Sequence, residues 1–490
     1  MRHVLSDHRT TLSTIATWAM FSRGLEPEFS AAVLKQTTAF TGPAKASGDD
    51  IRDLRDLLWC SIDNDDSRDL DQLTVMAPQA QGEVRVYVAV ADVDALVKKD
   101  SPIDLHAHQN TTSVYTSAQI FPMLPERLCT DLTSLNPDVD RLAVVTEMAF
   151  SQDGVLMHSS VYRAWVHNKA QLAYDAVSAW IEGEADLPEP ARRVKGMNQQ
   201  LRLQDDLAQK LRVLRRAEGS LEFETFQPKA LFHGARIVDI QQQKQNRARQ
   251  LIEEFMIATN GCTARFLASQ GYAALRRVVR SPERWLRIVE VAQEYGVSLP
   301  HQPDGPALEA FLARQHKADP LRFPDLSLVI IKLMGSGEYV VERPGHAQIG
   351  HFGLAARDYT HSTAPNRRFP DLITQRLIKA ALAGLQAPYA EEELIALAAH
   401  CTAQEDAAQK VERQVRKSEA ALLLHSHIGQ KFDGVVTGVE DKSAWVRIFE
   451  PPAEGRLMGE LPPLKVGQVL RLKLTSTSVE RGFINFVLAH

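Results

Sequence analysis

Five aspartates lie within nine residues of one another in the stretch CSIDNDDSRDLDQL, residues 60–73. This stretch overlaps the end of the apolar run LLWCSI, so we expect the carboxylates at the mouth of a buried strand. Carboxylates this close repel one another unless cations bind between them, and oxygen ligands favour hard cations such as Mg²⁺. The cluster therefore indicates a divalent-cation site, with a solvated acidic loop as the alternative. Its members are Asp63, Asp65, Asp66, Asp69 and Asp71.

A calcium loop of the EF-hand type is excluded at two positions. Asp63 and Asp65 match its start, but the sixth position is Arg68, where a glycine is needed. The twelfth position is Thr74, where a glutamate is needed. A site that leaves Mg²⁺ with open positions for phosphate fits better. Two such ions about 4 Å apart can activate a water and stabilise the leaving oxygen of a phosphodiester.

Phosphodiester chemistry also needs a positive group that balances charge in the transition state. The segment DYTHSTAPNRRFPDL, residues 358–372, offers Arg367 and Arg368 after the turn-forming Pro365, at the edge of an expected helix. The planar guanidinium of arginine can donate two hydrogen bonds to a phosphate at once. An arginine pair on the protein surface, without a catalytic role, is the alternative.

The overall composition limits the class of protein. The chain of 490 residues is long enough for two or three domains, and 44% hydrophobic and 24% charged residues fit a soluble globular protein. No run of about 18 apolar residues is present, so no membrane span is expected. The net charge of −5 still leaves room for a basic channel. The widely spaced cysteines predict neither disulfides nor a zinc site and favour the cytoplasm: they are Cys60, Cys129, Cys262 and Cys401.

The secondary-structure patterns predict the α+β class. Residues 1–48 are expected to form a helical N-terminal domain, either a helix-turn-helix or a lid, with Ser30 as a helix cap. Residues 49–428 combine strand-like runs with helices that dominate from about residue 164 to 300. Residues 429–490 contain about five short strand-like runs, which is the size of an OB-fold barrel that binds single-stranded nucleic acid. A barrel with no nucleic-acid role is the alternative.

The string IDNDDSRDLDQL, residues 62–73, resembles the signature of the RNase II/RNase R (RNB) exoribonucleases, I-D-x5-D-x-D-D. Further stretches agree in the same order along residues 50–490, among them TTSVYTSAQIFPMLPERLCTDLTSLNPDVDRLAV (111–144) and VERQVRKSEAALLL (411–424). The tail from about residue 429 resembles the S1-type OB-fold that ends these enzymes. The resemblance implies a catalytic RNB domain of mixed α+β structure. It also implies processive hydrolysis of single-stranded RNA from the 3′ end to nucleoside 5′-monophosphates.

The resemblance also implies catalytic roles by position. Asp63, Asp69 and Asp71 stand where the family holds catalytic Mg²⁺, as one or two ions that Mn²⁺ can replace. Asp71 matches the carboxylate that the family can least do without. Arg367 falls on the catalytic arginine of the family's S-P-I-R pattern.

RNA binding is implied for four further residues. Tyr115 matches the tyrosine that stacks on the 3′-terminal base, which suits an enzyme that accepts all four bases, because every base has a π-face. Tyr174 and Glu254 match residues linked to the choice of RNA over DNA, and a carboxylate can accept a hydrogen bond from the ribose 2′-OH. Glu412 matches a glutamate near the terminal nucleotides.

Two departures from the family pattern affect these expectations. Gln72 stands where the fourth aspartate is expected, and a neutral amide is a poor Mg²⁺ ligand, so at least one ion should bind more weakly. Only about 50 residues precede the expected catalytic domain, too few for the cold-shock domains of the usual members. We therefore expect the N-terminal helices and the C-terminal barrel to clamp the RNA alone.

Three hypotheses about function follow from these patterns. The leading one is an active 3′→5′ exoribonuclease that works on single-stranded RNA as a cytoplasmic monomer, with no membrane and no protein partner. The second is a catalytically impaired RNA-binding member of the family, in which Gln72 marks a lost metal ligand. The third is a phosphodiesterase that acts on DNA or on very short oligonucleotides.

Overall fold

Two short helices open the chain, as predicted. The computed structural model describes residues 7–46, 50–77, 83–225, 228–242, 245–320, 322–440 and 443–489. Helix α1 spans His8–Ser22 and helix α2 spans Ala31–Ala39. The Ser30 side chain accepts a hydrogen bond from the amide of Val33, which confirms the expected helix cap. The domain boundary expected at residue 48 lies outside the described residues.

A mixed seven-stranded sheet forms the centre of the protein. In chain order its strands are β1 Ile51–Asp53, β2 Cys60–Asp63, β3 Gln72–Met76, β4 Val84–Ala91, β7 Asp140–Phe150, β8 Leu156–His167 and β9 Ala170–Ala173. Helix α3 Pro102–Asn110 and a separate two-stranded ribbon of β5 Val114–Tyr115 and β6 Ile120–Phe121 lie between β4 and β7. The strand order in the sheet is β1-β8-β7-β4-β3-β2-β9. The valines of β4 enter one hydrophobic core and its buried alanines the other, because successive side chains point to opposite faces.

Three strands of this sheet end or begin at one edge. Strand β2 ends at Asp63 and pairs in parallel with β9, which ends at Ala173. Strand β3 begins at Gln72 and runs antiparallel to β2. The acidic loop 64–71 and the residue that follows β9 therefore lie at the same edge of the sheet.

Helices and two small sheets cover this centre. They are α4 Tyr174–Ile181, α5 Glu189–Arg192, α6 Met197–Ala217, β10 Pro228–His233, β11 Arg236–Gln242, α7 Arg247–Ser269, β12 Ala274–Val278, α8 Trp285–Glu294, α9 Gly305–Ala318, α10 Phe323–Met334, β13 Glu338–Glu342, α11 Phe369–Leu382 and α12 Glu391–Leu424. Strand β10 pairs with β11, and β12 with β13. Helices dominate residues 164–300 as predicted, and the β10–β11 hairpin interrupts them, with Ala230 and Ile237 buried against α1 and α12. Among the described helices, none is long and apolar enough to cross a membrane.

The C-terminal region is a closed five-stranded barrel, as predicted. Its strands are β14 Lys431–Glu440, β15 Ser443–Ile448, β16 Ala453–Leu457, β17 Val469–Ser478 and β18 Phe483–Leu488. Leu472, Leu474 and Phe486 are fully buried inside it. A Cβ atom on Gly455 would lie 2.6 Å from the Phe486 ring, so glycine is needed where this ring fills the barrel.

Helix α12 joins the N-terminal helices, the centre and the barrel. It is 34 residues long, which corresponds to about 50 Å at 1.5 Å per residue. Val411 and Val415 pack against Leu12 of α1. More than one helical turn further along α12, Ala421 and Leu424 belong to the hydrophobic core of the barrel. The three parts of the chain therefore share one rigid element.

The barrel core supports a direct test of this packing. We expect Phe486→Ala to lower the free energy of unfolding by about 3–5 kcal/mol, because it opens a cavity in a fully packed core. Phe449→Ala is the matched control, since Phe449 is exposed, and it should cost less than about 1 kcal/mol. Chemical denaturation, monitored by tryptophan fluorescence, measures the free energy of unfolding of both variants. Equal losses in the two variants would contradict the packing described here.

Candidate active site

The acidic loop begins where strand β2 ends. One oxygen of Asp63 accepts hydrogen bonds from the amide of Asn64 at 2.7 Å and from the hydroxyl of Ser67 at 2.9 Å. Burial raises the pKa of Asp63 despite these bonds. Asp65 and Asp66, next in the loop, are exposed to solvent. The five carboxylates of the cluster therefore divide into exposed ones and ones turned toward the protein.

Asp71 is the most buried carboxylate of the cluster, with only 2% of its surface exposed. Its Oδ1 accepts a hydrogen bond of 2.9 Å from the backbone amide of Asn366. Its Oδ2 has no hydrogen-bond partner and lies 3.6 Å from Nε of Arg367. Burial raises the pKa of Asp71 to about 8 and the charge of Asp69 adds to the rise, although Arg367 opposes it. The charge of Arg367 therefore does not fully offset the cost of burying an ionised Asp71.

The two neighbouring arginines have different surroundings. Arg367 keeps 43% of its side chain exposed beside Asp71. Arg368 instead turns inward, where its guanidinium contacts Asp371 at 2.8 Å. The backbone between them is held by a hydrogen bond of 2.9 Å from the amide of Ser113 to the carbonyl of Arg367. Only Arg367 is thus free to meet a ligand at the acidic loop, which favours the catalytic interpretation over a plain surface pair.

Tyr115 links two of the predicted residues. Its hydroxyl donates a hydrogen bond of 2.8 Å to Oδ2 of Asp69, and its backbone amide donates one of 3.1 Å to Oε1 of Glu412 on α12. Burial raises the pKa of the Tyr115 hydroxyl, which keeps it a donor at neutral pH. Burial also raises the pKa of Glu412. The structure therefore brings Asp69, Tyr115 and Glu412 together at the acidic loop.

Tyr174 lies on the Asp63 side of the loop. It is the first residue of α4 and directly follows Ala173, the partner of Asp63 in the sheet. The guanidinium carbon of Arg249 lies 4.5 Å from the centre of the Tyr174 ring, and Arg249 also donates to the side chain of Asn64 at 2.9 Å. A polar wall of Tyr174 and Arg249 thus borders the loop opposite Tyr115.

Glu254 is the predicted residue whose surroundings differ from the expectation. It is buried, and both of its oxygens accept hydrogen bonds from the guanidinium of Arg215, at 2.8 and 2.6 Å. Its neighbour Glu253 is exposed. The structure therefore leaves the carboxylate of Glu253, rather than that of Glu254, accessible to solvent.

The carboxylate oxygens at the acidic loop suit a hard cation. In each of Asp63, Asp69 and Asp71, one carboxylate oxygen accepts a hydrogen bond from the protein. The other oxygen accepts none from the described residues. Carboxylate oxygens are the ligands that Mg²⁺ prefers. A preformed cage of three or more acidic, histidine or cysteine ligands is absent from the described part of the chain. The residues therefore fit a cation that is also held by water and substrate oxygens, as Mg²⁺ sites commonly are.

Comparison with known proteins assigns the chain. The family model described as the RNB domain matches residues 51–384, and the model described as the RNase II-type exonuclease C-terminal S1 domain matches residues 430–489. The chain belongs to the RNB family. This assignment confirms the resemblance seen at the acidic motif, and the closed barrel agrees with the S1 match.

Several RNB relatives are similar over most of this chain. Ribonuclease R of Escherichia coli is 34% identical over 474 residues, which cover 89% of this chain and 57% of that protein. Ribonuclease R of Thermotoga maritima is 29% identical over 496 residues, covering 94% and 68%. The chain thus spans little more than half the length of the E. coli relative. The solved structure of Mycoplasma genitalium RNase R with ribose-methylated single-stranded RNA shares the fold, with a TM-score of 0.87, 21% identity, and coverage of 99% and 78%.

Several residues that complete this RNB site were not predicted from the sequence. The hydroxyl of Ser134 accepts from the amide of Leu70 at 3.0 Å and donates to the carbonyl of Arg68, which fixes the loop before Asp71. The hydroxyl of Thr133 donates to the side chain of Asn366 at 2.5 Å and holds the turn that carries Arg367. Both residues, Thr133 and Ser134, lie in the stretch 111–144 that resembles the RNB family, so the sequence did point to this region. The sequence alone could not show that they support the loop rather than contact RNA.

The raised pKa of Asp71 predicts how a cation should stabilise the protein. Because the folded pKa is about 8 and the ordinary pKa is 3.8, the folded state binds the extra proton, and metal-free stability falls as pH rises between these values. A cation must displace that proton. We therefore expect the stabilisation by Mg²⁺ to be larger near pH 8.5 than near pH 6.5, by up to about 1.4 kcal/mol per pH unit below the folded pKa.

Differential scanning fluorimetry with and without Mg²⁺ at the two pH values measures this effect as a shift in melting temperature. The Asp71→Asn variant is the control, because its amide neither titrates nor serves as a good ligand. A stabilisation by Mg²⁺ that is equal at both pH values, or unchanged in Asp71→Asn, would contradict the assignment of Asp71 to the cation.

The Arg215–Glu254 pair predicts a contrast between adjacent residues. Glu254→Gln should lower the free energy of unfolding by about 3 kcal/mol, because it leaves the enclosed guanidinium of Arg215 without its charge partner. Glu253→Gln is the matched control, and its exposed side chain should cost less than about 0.5 kcal/mol. Urea denaturation measures the free energy of unfolding of both variants. A loss of stability in Glu253→Gln alone would mean that Glu253, not Glu254, has the structural role.

Proposed function

We propose that this protein is a Mg²⁺-dependent exoribonuclease that hydrolyses single-stranded RNA from its 3′ end and releases nucleoside 5′-monophosphates. The observation that carries the proposal is that Oδ2 of buried Asp71 accepts no hydrogen bond and lies beside the half-exposed guanidinium of Arg367. The free carboxylate oxygen of Asp71 can bind a cation, and the exposed part of the Arg367 guanidinium can bind a phosphate beside it. The names of the E. coli and T. maritima relatives support the same activity.

The chemical step follows from the groups at the acidic loop. Asp63, Asp69 and Asp71 would hold Mg²⁺, which when bound would supply the charge that activates water and stabilises the leaving oxygen. The water oxygen bonds to the phosphorus of the last nucleotide and loses a proton to solvent. The bond to the 3′-oxygen of the preceding nucleotide breaks, and that oxygen takes up a proton from solvent and becomes the new 3′-hydroxyl. Arg367 donates hydrogen bonds to the non-bridging oxygens, where negative charge grows.

The residues around the loop would hold the terminal nucleotide. The ring of Tyr115 offers a stacking surface for the last base, and its hydroxyl ties the ring to Asp69. Glu412 fixes the backbone of Tyr115 from α12. For the choice of RNA over DNA we propose Tyr174 together with Glu253, because the oxygens of Glu254 already accept from Arg215.

Gln72 favours a second candidate function, an RNA-binding protein with impaired catalysis. The side chain of Gln72 is half-buried at the start of β3 and forms no hydrogen bond within the described residues. An amide replaces one of the family's carboxylates, which weakens the hold on a second cation. The retained set of Asp63, Asp69, Asp71 and Arg367 supports catalysis with the ligands that are left.

The broader organisation is also a proposal. We propose a helical N-terminal unit over residues 1–48, the RNB catalytic domain over 49–428 and the S1-type domain over 429–490. We propose that the protein acts as a monomer in the cytoplasm, with single-stranded RNA as its binding partner. The basis is the motif placement together with the closed barrel and the shared helix α12.

A denaturing-gel time course on 5′-labelled single-stranded RNA tests the proposed activity. We expect loss of full-length RNA to a short labelled product with Mg²⁺, and none with EDTA. Asp71→Asn should lower the rate by about 10²–10³-fold or more, since it removes a charge that organises the transition state. Asp153→Asn, an exposed aspartate in the turn at the opposite edge of the sheet, should act like the wild type.

Two outcomes of this assay would redirect the assignment. RNA that stays intact but is retained by the wild-type protein would support the RNA-binding candidate, with Gln72→Asp as the variant that restores cleavage. Equal rates on DNA and RNA of the same sequence would point to a general phosphodiesterase instead.

A further inference from the structure

The short ribbon of β5 and β6 carries Tyr115 to the acidic loop. Each of its strands has only two residues. The turn between them is closed by hydrogen bonds between the Thr116 hydroxyl and the backbone of Gln119. A two-stranded hairpin of this size is at best marginally stable by itself in water. The position of the Tyr115 ring therefore depends on what holds the ribbon against the rest of the protein.

Helices α1 and α12 hold the ribbon between them. On α1, the hydroxyl of Ser13 donates a hydrogen bond to the side chain of Gln119, in the turn of the ribbon. Apolar contacts are not directional, so hydrogen bonds of this kind must fix the orientation of the ribbon. The apolar side chains that the ribbon shares in one hydrophobic core with the two helices are Val114, Ala118 and Phe121 of the ribbon, Leu12 and Ala16 of α1, and Val411, Val415 and Leu422 of α12.

Two glutamates of α12 bind the ribbon from the other side. Glu412 accepts a hydrogen bond of 3.1 Å from the backbone amide of Tyr115. Glu419 accepts a hydrogen bond from the hydroxyl of Ser117, in the turn of the ribbon. The two glutamates are seven residues apart, which is about two helical turns, so they lie on one face of α12 about 10 Å apart. The ribbon is therefore attached to α12 both at Tyr115 and at its tip.

An ion pair does not explain the burial of Glu419. Only 3% of its surface is exposed, and it forms no ion pair within the part of the chain that the structure describes. Burial raises the pKa of Glu419 to about 7, although Ser117 and the exposed Arg416 lower it. Burying a carboxyl group costs free energy unless the group is hydrogen-bonded. The partner that Glu419 has here belongs to the ribbon that carries Tyr115.

We propose that Glu419 is a positioning residue for Tyr115. Through the hydroxyl of Ser117 it fixes the tip of the ribbon, and the ribbon fixes the plane of the ring on which the last base stacks. This inference rests on the proposed function, in which Tyr115 holds the terminal nucleotide. Ser13 holds the opposite side of the tip through Gln119, so the N-terminal helix α1 supports the same ring.

This role requires a hydrogen-bond acceptor at position 419, and three substitutions isolate it. Glu419→Met keeps the length of the side chain but removes both acceptor oxygens. Glu419→Gln keeps one carbonyl oxygen that accepts from Ser117. Ser117→Ala removes the donor from the ribbon side, and Ser117 is only half-buried, so the packing of the core is kept. Glu419→Met and Ser117→Ala should therefore loosen the tip of the ribbon, and Glu419→Gln should not.

The fluorescence of an RNA whose 3′-terminal base is 2-aminopurine tests the proposal on the full chain. The emission of this base falls when it stacks on an aromatic ring, and EDTA in the buffer prevents cleavage. We expect the wild type to quench the emission on binding and Tyr115→Ala to lose this quenching. Glu419→Met and Ser117→Ala should quench less than the wild type. Glu419→Gln should match the wild type.

A double variant separates positioning of the ring from a general loss of structure. For a five-nucleotide RNA we expect the Kd to rise about tenfold in Tyr115→Ala and about threefold in Glu419→Met. Tyr115→Ala/Glu419→Met should bind no more weakly than Tyr115→Ala, because Glu419 acts through the ring that is already absent. Glu392→Met removes an exposed glutamate near the other end of α12 and should leave the quenching and the Kd unchanged.

Wild-type quenching in both Glu419→Met and Ser117→Ala would overturn the proposal, and so would additive losses in the double variant. A loss in Glu419→Gln as large as in Glu419→Met would also overturn it, because the acceptor would then not be the property that matters. If quenching were lost in Tyr115→Ala alone, the stacking role of Tyr115 would stand and only the role of Glu419 would be wrong. Unchanged quenching in Tyr115→Ala would contradict both. If Glu419→Met does not fold, Ser117→Ala decides.

Discussion

The burial of one unpaired carboxylate oxygen governs the candidate site. Asp71 has one oxygen satisfied by the amide of Asn366 and the other without a donor, in a place that water scarcely reaches. Arg367 is near, but its charge does not bring the pKa of Asp71 back to the usual range. The site therefore needs either a proton or a cation at this position. A bound cation would offset the cost of burying the ionised carboxylate, which the metal-free protein offsets with a proton.

The topology explains how distant residues meet at this carboxylate. The antiparallel β2–β3 pair and the parallel β2–β9 pair place the acidic loop and Tyr174 at one edge of the sheet. The turn before α11 brings Arg367 to the same edge, and α12 brings Glu412 against the backbone of Tyr115. Helix α12 also carries the barrel and the N-terminal helices, so any ligand that extends from the site meets surfaces that this helix has positioned.

Sequence reasoning succeeded where one local pattern carries the information. The acidic motif, the five strand-like runs of the barrel and the cap at Ser30 are of this kind. The family resemblance selected Arg367 over Arg368, but the contact with Asp371 that turns Arg368 inward is not visible in the sequence. The ion pair between Glu254 and Arg215 is also invisible in the sequence motif, because Arg215 comes from another helix.

A metal-rescue experiment at the scissile phosphate, done with the wild type and with Asp71→Asn, tests most directly whether a cation held by Asp71 contacts the phosphate. An RNA whose last linkage carries sulfur in place of a non-bridging oxygen is degraded with Mg²⁺ or with the softer Mn²⁺, which accepts sulfur more readily. We predict that sulfur slows the reaction with Mg²⁺ and that Mn²⁺ restores the rate for one of the two stereoisomers. An equal slowing with both ions would mean that no cation contacts the phosphate, and the role assigned to Asp71 would be contradicted.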